Sequence, residues 1–519
     1  MSEAFFTSEE WELAGSIGRL AFANPFGEER TALERRILGR RYRSSYRVWN
    51  SVDGESSVNR NLSSLEERCD ALVRQGVSRW GAHGAELDAS QLASWDLLCL
   101  YWLFSRHREA MCRNVYLGLG SEKATASLYD AFQREYHGLL SLPGRAVPTA
   151  YSPEGVFALM HQLHRAFNYI YDFIAGGTLA AGELRGAIWQ SVFTCDLGRY
   201  YRQLRGKMNR MTTLVTGESG TGKELVARAI ALSQYIPFDP ATGQFACRHQ
   251  ECFHPVQLSA MPQTLVESAL FGHARGAFTG AVTSRTGCFE SCSPQGCIFL
   301  DEIGEVTPET QVKLLRLLQT RQFQRIGEER TRLFPGKVVA ATNANLQERC
   351  RQGTFRKDLF FRICSDVIQT APLRTLIDGQ EQELRQFVMV LTKRVLEGTE
   401  AEEFADHALR WIVEHLGMEY PWPGNVRELE QCLRNLLIRG EYLPAQAPVD
   451  DTNSIDPLEA ALAQRDYTAD EVIKAYLQAL QKREKTLAAV AKHAGLDPRT
   501  VKKYLADSPP GTSSMRNAE

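Results

Sequence analysis

The 519-residue sequence has no long hydrophobic run. Its most apolar stretch, Leu97 to Phe104, is far short of the ~20 residues a bilayer span needs, and Arg106, His107 and Arg108 follow it after Ser105. The stretch reads as a buried helix, and no membrane association is expected. The amino terminus carries Glu3, Glu9 and Glu10 but neither a basic n-region nor an apolar h-region, so no export signal is expected and the working compartment is the cytoplasm. Charge of one sign is also missing: 60 Lys+Arg face 62 Asp+Glu, a formal charge of -2, so any nucleic-acid surface has to be local. Cysteine is sparse, 12 in 519 residues, which excludes a disulfide-built scaffold and leaves reduced thiols as the expectation.

What is present is ordinary globular composition, 44% hydrophobic and 24% charged, with a mean hydropathy of -0.29. At about 150 residues per domain the length suggests roughly three domains. Residues 1–185 contain no glycine-rich nucleotide loop and read as successive amphipathic helices, among them Ser63 to Trp80, Ser90 to Tyr116, Ala124 to Leu142 and Val156 to Ala175. In 186–370 short β-rich runs (Thr213 to Thr216, Gly296 to Leu300, Val338 to Ala341) alternate with helical patterns, which predicts a mainly parallel α/β sheet. Helical periodicity returns in 371–443. A Pro/Ala/Asp-rich linker is expected over 444–465, a last compact segment over 466–507 and a disordered tail over 508–519.

Between the apolar run Leu214-Val215 and the helical run Glu224 to Leu232 stands Gly217-Glu218-Ser219-Gly220-Thr221-Gly222-Lys223. This is the setting of a phosphate loop. Its glycines let backbone N–H groups converge on phosphate oxygens, the helix start adds partial positive charge and Lys223 adds a full one. Glu224 stands where the general pattern has a Ser/Thr hydroxyl for magnesium. The run Cys297 to Leu300 then ends in Asp301-Glu302, one acid placed to hold magnesium and the other to polarise the attacking water. Asn343, at the end of a further strand, offers an amide able to sense the γ-phosphate. Arg356 and Arg362 are suited to a neighbouring subunit's γ-phosphate, which requires a ring of subunits. Arg427 opens a helix of the small subdomain, where it would contact phosphate and report closure.

In this order and spacing the motifs from about 205 to 440 resemble the AAA+ central domain of bacterial enhancer-binding proteins, the ATP-driven activators of sigma-54 RNA polymerase. The segment that carries the resemblance is Gly276-Ala277-Phe278-Thr279-Gly280-Ala281, matching the GAFTGA loop that touches sigma-54 in that family. The resemblance implies a AAA+ P-loop domain, a parallel sheet between helices plus a helical lid, flanked by an all-α N-terminal domain and a C-terminal helix-turn-helix. Gly217 to Glu224 then correspond to Walker A, where glutamate after the lysine is usual, and Asp301 and Glu302 to Walker B. Asn343 corresponds to sensor I, Arg356 and Arg362 to arginine fingers and Arg427 to sensor II. ATP, magnesium, sigma-54 polymerase, upstream activating DNA and a hexameric ring built from resting dimers are the implied ligands and partners, with nucleoid association once DNA is bound. Gln257 stands where the family commonly has the asparagine that restrains the catalytic glutamate. A DNA-binding regulator that keeps the fold without remodelling polymerase, and a AAA+ remodeller of another protein, use the same parts and stay open.

From Asp470 to Leu505 there are 8 Lys+Arg and 4 Asp+Glu, a local charge of 8 - 4 = +4 in a chain that is not basic. Helix, helix, Gly turn and helix are expected there, with Asp497 as a cap and Pro498 in the first turn. The piece resembles a Fis-like helix-turn-helix with Arg499, Thr500, Lys502 and Lys503 facing DNA. Cys247, His249, Cys252 and His254 offer two sulfurs and two nitrogens for zinc, but at spacings tighter than ordinary zinc sites. A β-like insertion with reduced thiols is the favoured reading.

Overall fold

The computed structural model describes residues 5–43, 60–83, 87–117, 122–444, 470, 473, 474, 476, 477, 480, 481 and 486–506. They fall into two compact units, residues 1–442 and 443–519.

The first unit begins with helices α1 (Ser8–Leu20), α2 (Glu28–Leu38), α3 (Arg60–His83), α4 (Ala89–Leu117), α5 (Glu122–Leu140), α6 (Pro153–Phe173) and α7 (Leu179–Phe193). Capping residues set several of their starts: Thr7 forms a capping box with Glu10, and Ser152 and Thr178 accept from the third residue beyond them. The apolar stretch Leu97 to Phe104 lies inside α4, with Leu98, Cys99 and Leu103 fully covered, as its composition predicts. Trp95 packs beside it and donates its indole N–H to Leu139 O at 3.0 Å, so a large apolar body is buried without an orphaned donor.

A five-stranded, all-parallel sheet follows in the order β11-β1-β10-β7-β4. Its members are β1 (Thr213–Thr216), β4 (Phe253–Gln257), β7 (Cys297–Asp301), β10 (Lys337–Thr342) and β11 (Asp366–Gln369), rich in the β-branched residues a buried parallel sheet needs. Three two-stranded additions complete the set: β2 (Phe238–Asp239) with β3 (Gln244–Phe245), β5 (Gly272–His273) with β6 (Arg285–Thr286), and β8 (Gln322–Gln324) with β9 (Thr331–Leu333). Helices α8 (Lys223–Leu232), α9 (Gln263–Phe271), α10 (Pro308–Thr320) and α11 (Lys357–Ile363) pack around this subdomain. The lid holds α12 (Glu381–Thr392), α13 (Gly398–His415) and α14 (Asn425–Arg439), with Trp422 buried among them.

The N-terminal helices do not form a separate core. One continuous apolar cluster runs from Phe5, Ile17, Leu98 and Phe157 through Val226, Ala229 and Ile230 of α8 to Phe299, Val339 and Ile368 of the sheet. Polar ties follow the same seam: Gln162 on α6 donates to Ser233 O at 2.8 Å, and Glu383 of the lid accepts the Gly177 N–H at 2.5 Å. Thus no break in packing falls at residue 185. Periodicity alone reveals a helix but not which neighbour its apolar stripe covers.

In the second unit α15 (Leu487–Ala494), capped by Thr486, turns at Gly495 (φ 65°) into α16 (Pro498–Ala506). Asp497 accepts the Arg499 N–H at 2.8 Å, and Leu477, Val490, Ala491 and Val501 form a small core. Arg499, Lys502 and Lys503 are exposed and Thr500 is half-buried. The expected linker beyond residue 444 and the tail at 508–519 lie outside the described residues, as does much of the helix expected over Glu471 to Leu480.

Candidate functional site

Strand β1 delivers the chain to Gly217, whose φ of 149° and those of Gly220 (78°) and Gly222 (88°) fold residues 217–222 into a loop ahead of α8. Two of these glycines are also steric requirements. A Cβ on Gly217 would lie 2.0 Å from Thr370 Oγ1, and one on Gly220 would lie 2.3 Å from the carbonyl oxygen of Gly424 in the lid. Thr221 Oγ1 is 2.6 Å from the same Thr370 hydroxyl, which fixes the loop to the end of β11. Lys223 is buried and its Nζ donates to Gly217 O and Glu218 O, both at 3.0 Å. Burial lowers its pKa, while the nearby carboxylates of Glu302 and Asp301 oppose that shift.

Strand β10 separates β1 from β7, so Asp301 at the end of β7 faces the loop across one intervening strand. Asp301 is half-buried, and burial pushes its pKa up against the attraction of Lys223. A carboxylate whose charge is disfavoured by its surroundings, beside a phosphate loop, fits a hard divalent cation with oxygen ligands. Glu302 occupies left-handed backbone (φ 55°, ψ 54°), a conformation a non-glycine residue holds only where its surroundings impose it. Its carboxylate accepts the main-chain N–H of Asn343 at 3.2 Å. Gln257 lines the same cavity, but among the described residues no hydrogen bond joins it to Glu302.

The lid closes the site. Arg427 Nη1 donates to Ser219 Oγ at 3.1 Å, Val426 N–H to Gly220 O at 3.1 Å, and Arg374 forms an ion pair with Glu218 at 2.6 Å. Asn425, which motif reading does not single out, is fully buried at φ 53° and bonds the loop through Glu218 Oε2 (3.1 Å) and Ser219 O (3.0 Å). Its signal in the sequence is the Gly-Asn pair before a helix, since asparagine tolerates left-handed backbone.

Together these parts enclose a cavity of about 570 Å³, within the usual range for small-molecule sites. One wall is polar: the loop, Asp301, Glu302 and Arg427. The other is apolar and partly N-terminal, with Phe173, Ile174 and Leu184 meeting Leu376, Phe387 and Leu391 of the lid. The N-terminal share of this wall carries no motif, so sequence reasoning missed it. Arg356 and Arg362 do not line the cavity: Arg356 pairs with Asp358 at 2.7 Å, and Arg362 donates to Leu318 O at 2.9 and 3.1 Å. Both are exposed on α11 or its cap.

A second candidate site stands on the β5–β6 stem. Gly276 (φ 79°) and Gly280 (φ 99°) shape a turn in which the Gly276 N–H donates to Ala281 O at 2.8 Å. Phe278 and Thr279 are exposed at its tip, and the Phe278 ring rests 5.0 Å from that of His273. The turn leans on the β8–β9 hairpin, where Ala274 N–H donates to Ile326 O at 2.9 Å, a support the sequence reading also missed. Zinc, by contrast, has no support: among the described residues no group of three or more His, Cys, Asp or Glu is placed to hold a metal. His249 Nε2 is instead 2.9 Å from the Tyr169 hydroxyl, and the sulfurs of Cys247 and Cys252 are 3.7 Å apart. All described cysteines are free, and no helix among the described residues is long and apolar enough to cross a membrane.

The strand order, with a phosphate loop pinned beneath a helical lid, defines a AAA+ P-loop domain. Within that class, residues 198–369 match the family described as the Sigma-54 interaction domain. The chain is 37% identical over 317 residues to the Nif-specific regulatory protein of Azotobacter vinelandii, covering 59% of this chain and 56% of that one. It is 39% identical over 237 residues to the DNA-binding transcriptional regulator NtrC of Rhizobium meliloti (strain 1021), covering 46% and 45%. The chain thus spans about half the length of these curated relatives. A solved structure of NtrX from Brucella abortus in complex with ATP aligns over 73% of this chain and 79% of its own at 20% identity, with a TM-score of 0.38. The resemblance to sigma-54-dependent enhancer-binding activators is borne out by the family match and these relatives.

Proposed function

We propose that this protein is a sigma-54-dependent transcriptional activator: a ring-forming ATPase, hexameric when active, that binds upstream DNA and converts the closed polymerase complex to the open one. The observation that carries this reading is the exposed turn Gly276 to Ala281, held in the same domain as a closed nucleotide cavity. Backbone N–H groups of Gly217 to Glu224 and the Lys223 ammonium bind the triphosphate, while the apolar wall takes the base. Magnesium, held by Asp301, would neutralise phosphate charge. Glu302 orients and deprotonates the attacking water, and its contact with the Asn343 main chain couples strand β10 to that carboxylate. Arg427 senses the nucleotide through the loop it already touches.

Arg356 and Arg362 complete the site of the adjacent subunit, a reading supported by their exposure and their absence from their own chain's cavity. Phe278 and Thr279 contact sigma-54. Arg499, Thr500, Lys502 and Lys503 lie on α16, on the basic segment that we assign to DNA. Residues 1–185 are assigned a regulatory role, exerted through their share of the nucleotide wall. The test is transcription in vitro from the native promoter with purified sigma-54 polymerase. ATP-dependent open complexes are expected, and hydrolysis without any open complex would overturn the reading.

A further inference from the structure

Away from the nucleotide, the insertion between α8 and β4 folds back over α6, and a second cavity of about 210 Å³ lies beneath it. The insertion is pinned by a close approach: Gly243 (φ 68°) sits where a Cβ would come within 2.9 Å of Ala126 on α5. This cavity is smaller than the ~300–1,000 Å³ of pockets for drug-sized ligands or nucleotides, and its lining is mixed, with polar groups beside the apolar Ile236 and Phe245. Arg165 and His161 of α6 reach it from below, and Asn114 and Thr125 line it from α4 and α5. Exposed Gln244, Arg248 and Gln250 form its mouth.

The feature that requires explanation is Arg165. The residue is only 2% exposed, yet among the described residues no carboxylate pairs with it. One Nη donates to Gln234 O, just beyond α8, and Nε has no partner at all. Burial lowers its pKa to about 10, so it remains a cation at neutral pH, and the groups that favour its charge are Cys252, Tyr169, Cys247 and Tyr200. His161 beside it is buried too, its Nδ1 also lacks a partner, and burial keeps its ring neutral. Burial likewise holds His249 neutral. A buried guanidinium without a counter-charge, facing a small polar cavity with a second arginine at its mouth, is a half-built ion pair.

We propose that this cavity binds a small oxyanion, of the size of phosphate or a short carboxylate, with Arg165 as its counter-charge. His161 lies beside the anion as a neutral hydrogen-bonding partner, and Arg248 draws it in at the mouth. The position makes the anion an effector rather than a substrate. Arg165 ties α6 to the far end of α8, the helix whose first residue is Lys223, so filling the cavity acts on the element that carries the phosphate loop. The site lies outside the nucleotide cavity, and the two assignments can fail separately.

The test is calorimetric titration of the full-length protein, with the phosphate loop saturated by magnesium and a non-hydrolysable ATP analogue. Inorganic phosphate is the ligand in one arm and pyruvate in the other. One equivalent of at least one of them is expected to bind with Kd of about 1 mM or tighter, and the arm that binds identifies the source of the oxyanion. Arg165→Gln, which keeps an amide donor for Gln234 O, should weaken that binding at least about tenfold. Arg248→Ala, at the exposed mouth, should weaken it about threefold without disturbing the core. Absence of binding in both arms, or equal affinity in folded Arg165→Gln, overturns the proposal. If Arg165→Gln fails to fold, Arg248→Ala decides: weaker binding supports the site, and unchanged binding overturns it.

Discussion

Two glycine-rich segments of this chain look alike on paper and are built on opposite principles. In the phosphate loop, Gly217 and Gly220 are boxed in, with Thr370 Oγ1 and Gly424 O within 2.0 and 2.3 Å of where a Cβ would stand. In the turn at 276–281, Gly276 and Gly280 also have positive φ, but nothing lies within 4 Å of a Cβ at either position. The first set of glycines serves close packing, so the loop is a fixed cradle shared with the lid. The second serves backbone angle alone, leaving Phe278 and Thr279 exposed at a tip whose glycines are free of close packing. A fixed cradle and an exposed tip are what the proposed ATP-driven activator requires.

The largest effect should come from Glu302→Gln, which removes the base and leaves the cradle: turnover should fall about a hundred- to ten-thousand-fold while nucleotide affinity stays near wild type, measured by steady-state hydrolysis and equilibrium binding. Next is Lys223→Ala, expected to weaken ATP binding about a hundredfold through loss of a charge-assisted contact; unchanged affinity would reject the cradle. Gly220→Ala should come third, since it adds a clash with Gly424 O to a left-handed penalty of about 1–2 kcal/mol, loosening the lid and lowering the melting temperature along with affinity. Gly280→Ala carries only the angular penalty, so nucleotide affinity should stay within error of wild type and melting should fall clearly less than in Gly220→Ala; an effect equal to that of Gly220→Ala would erase the contrast between the two segments. Mixing hydrolysis-dead Glu302→Gln subunits with Arg362→Ala subunits should restore a fraction of ring activity. No recovery at any ratio would place that arginine outside the neighbour's site.

Much of the catalytic half is legible because local rules decide it. Thr213 to Thr216 is a strand as expected, and the helix expected over Glu224 to Leu232 forms with one residue more, Lys223, at its start, because loop, strand and helix signals follow one another without interruption. Helices α3 to α6 are legible too, to within a few residues at their ends, from periodicity alone. What stayed hidden is tertiary. Phe173, Ile174 and Leu184 read as ordinary core residues of amphipathic helices, and nothing in their spacing says that they wall a nucleotide cavity assembled from the other half of the unit. Asn425 was hidden for a related reason: its role depends on a left-handed backbone and on meeting Glu218 and Ser219, more than 200 residues earlier. At Cys247, His249, Cys252 and His254 ligand types in sequence do not guarantee convergence, and His249 turns to Tyr169 instead, in keeping with the favoured reading of a β-like insertion.

The central claim is that hydrolysis and its use are separate jobs carried by these two segments, and Thr279→Ala tests it most directly. Thr279 is exposed at the tip and has no part in the nucleotide cavity. ATP turnover and capture of sigma-54 in the presence of a hydrolysis transition-state analogue should be measured on one preparation. The account predicts wild-type turnover with capture and promoter opening lost. A variant that still captures sigma-54 and opens promoters at the wild-type rate would contradict it.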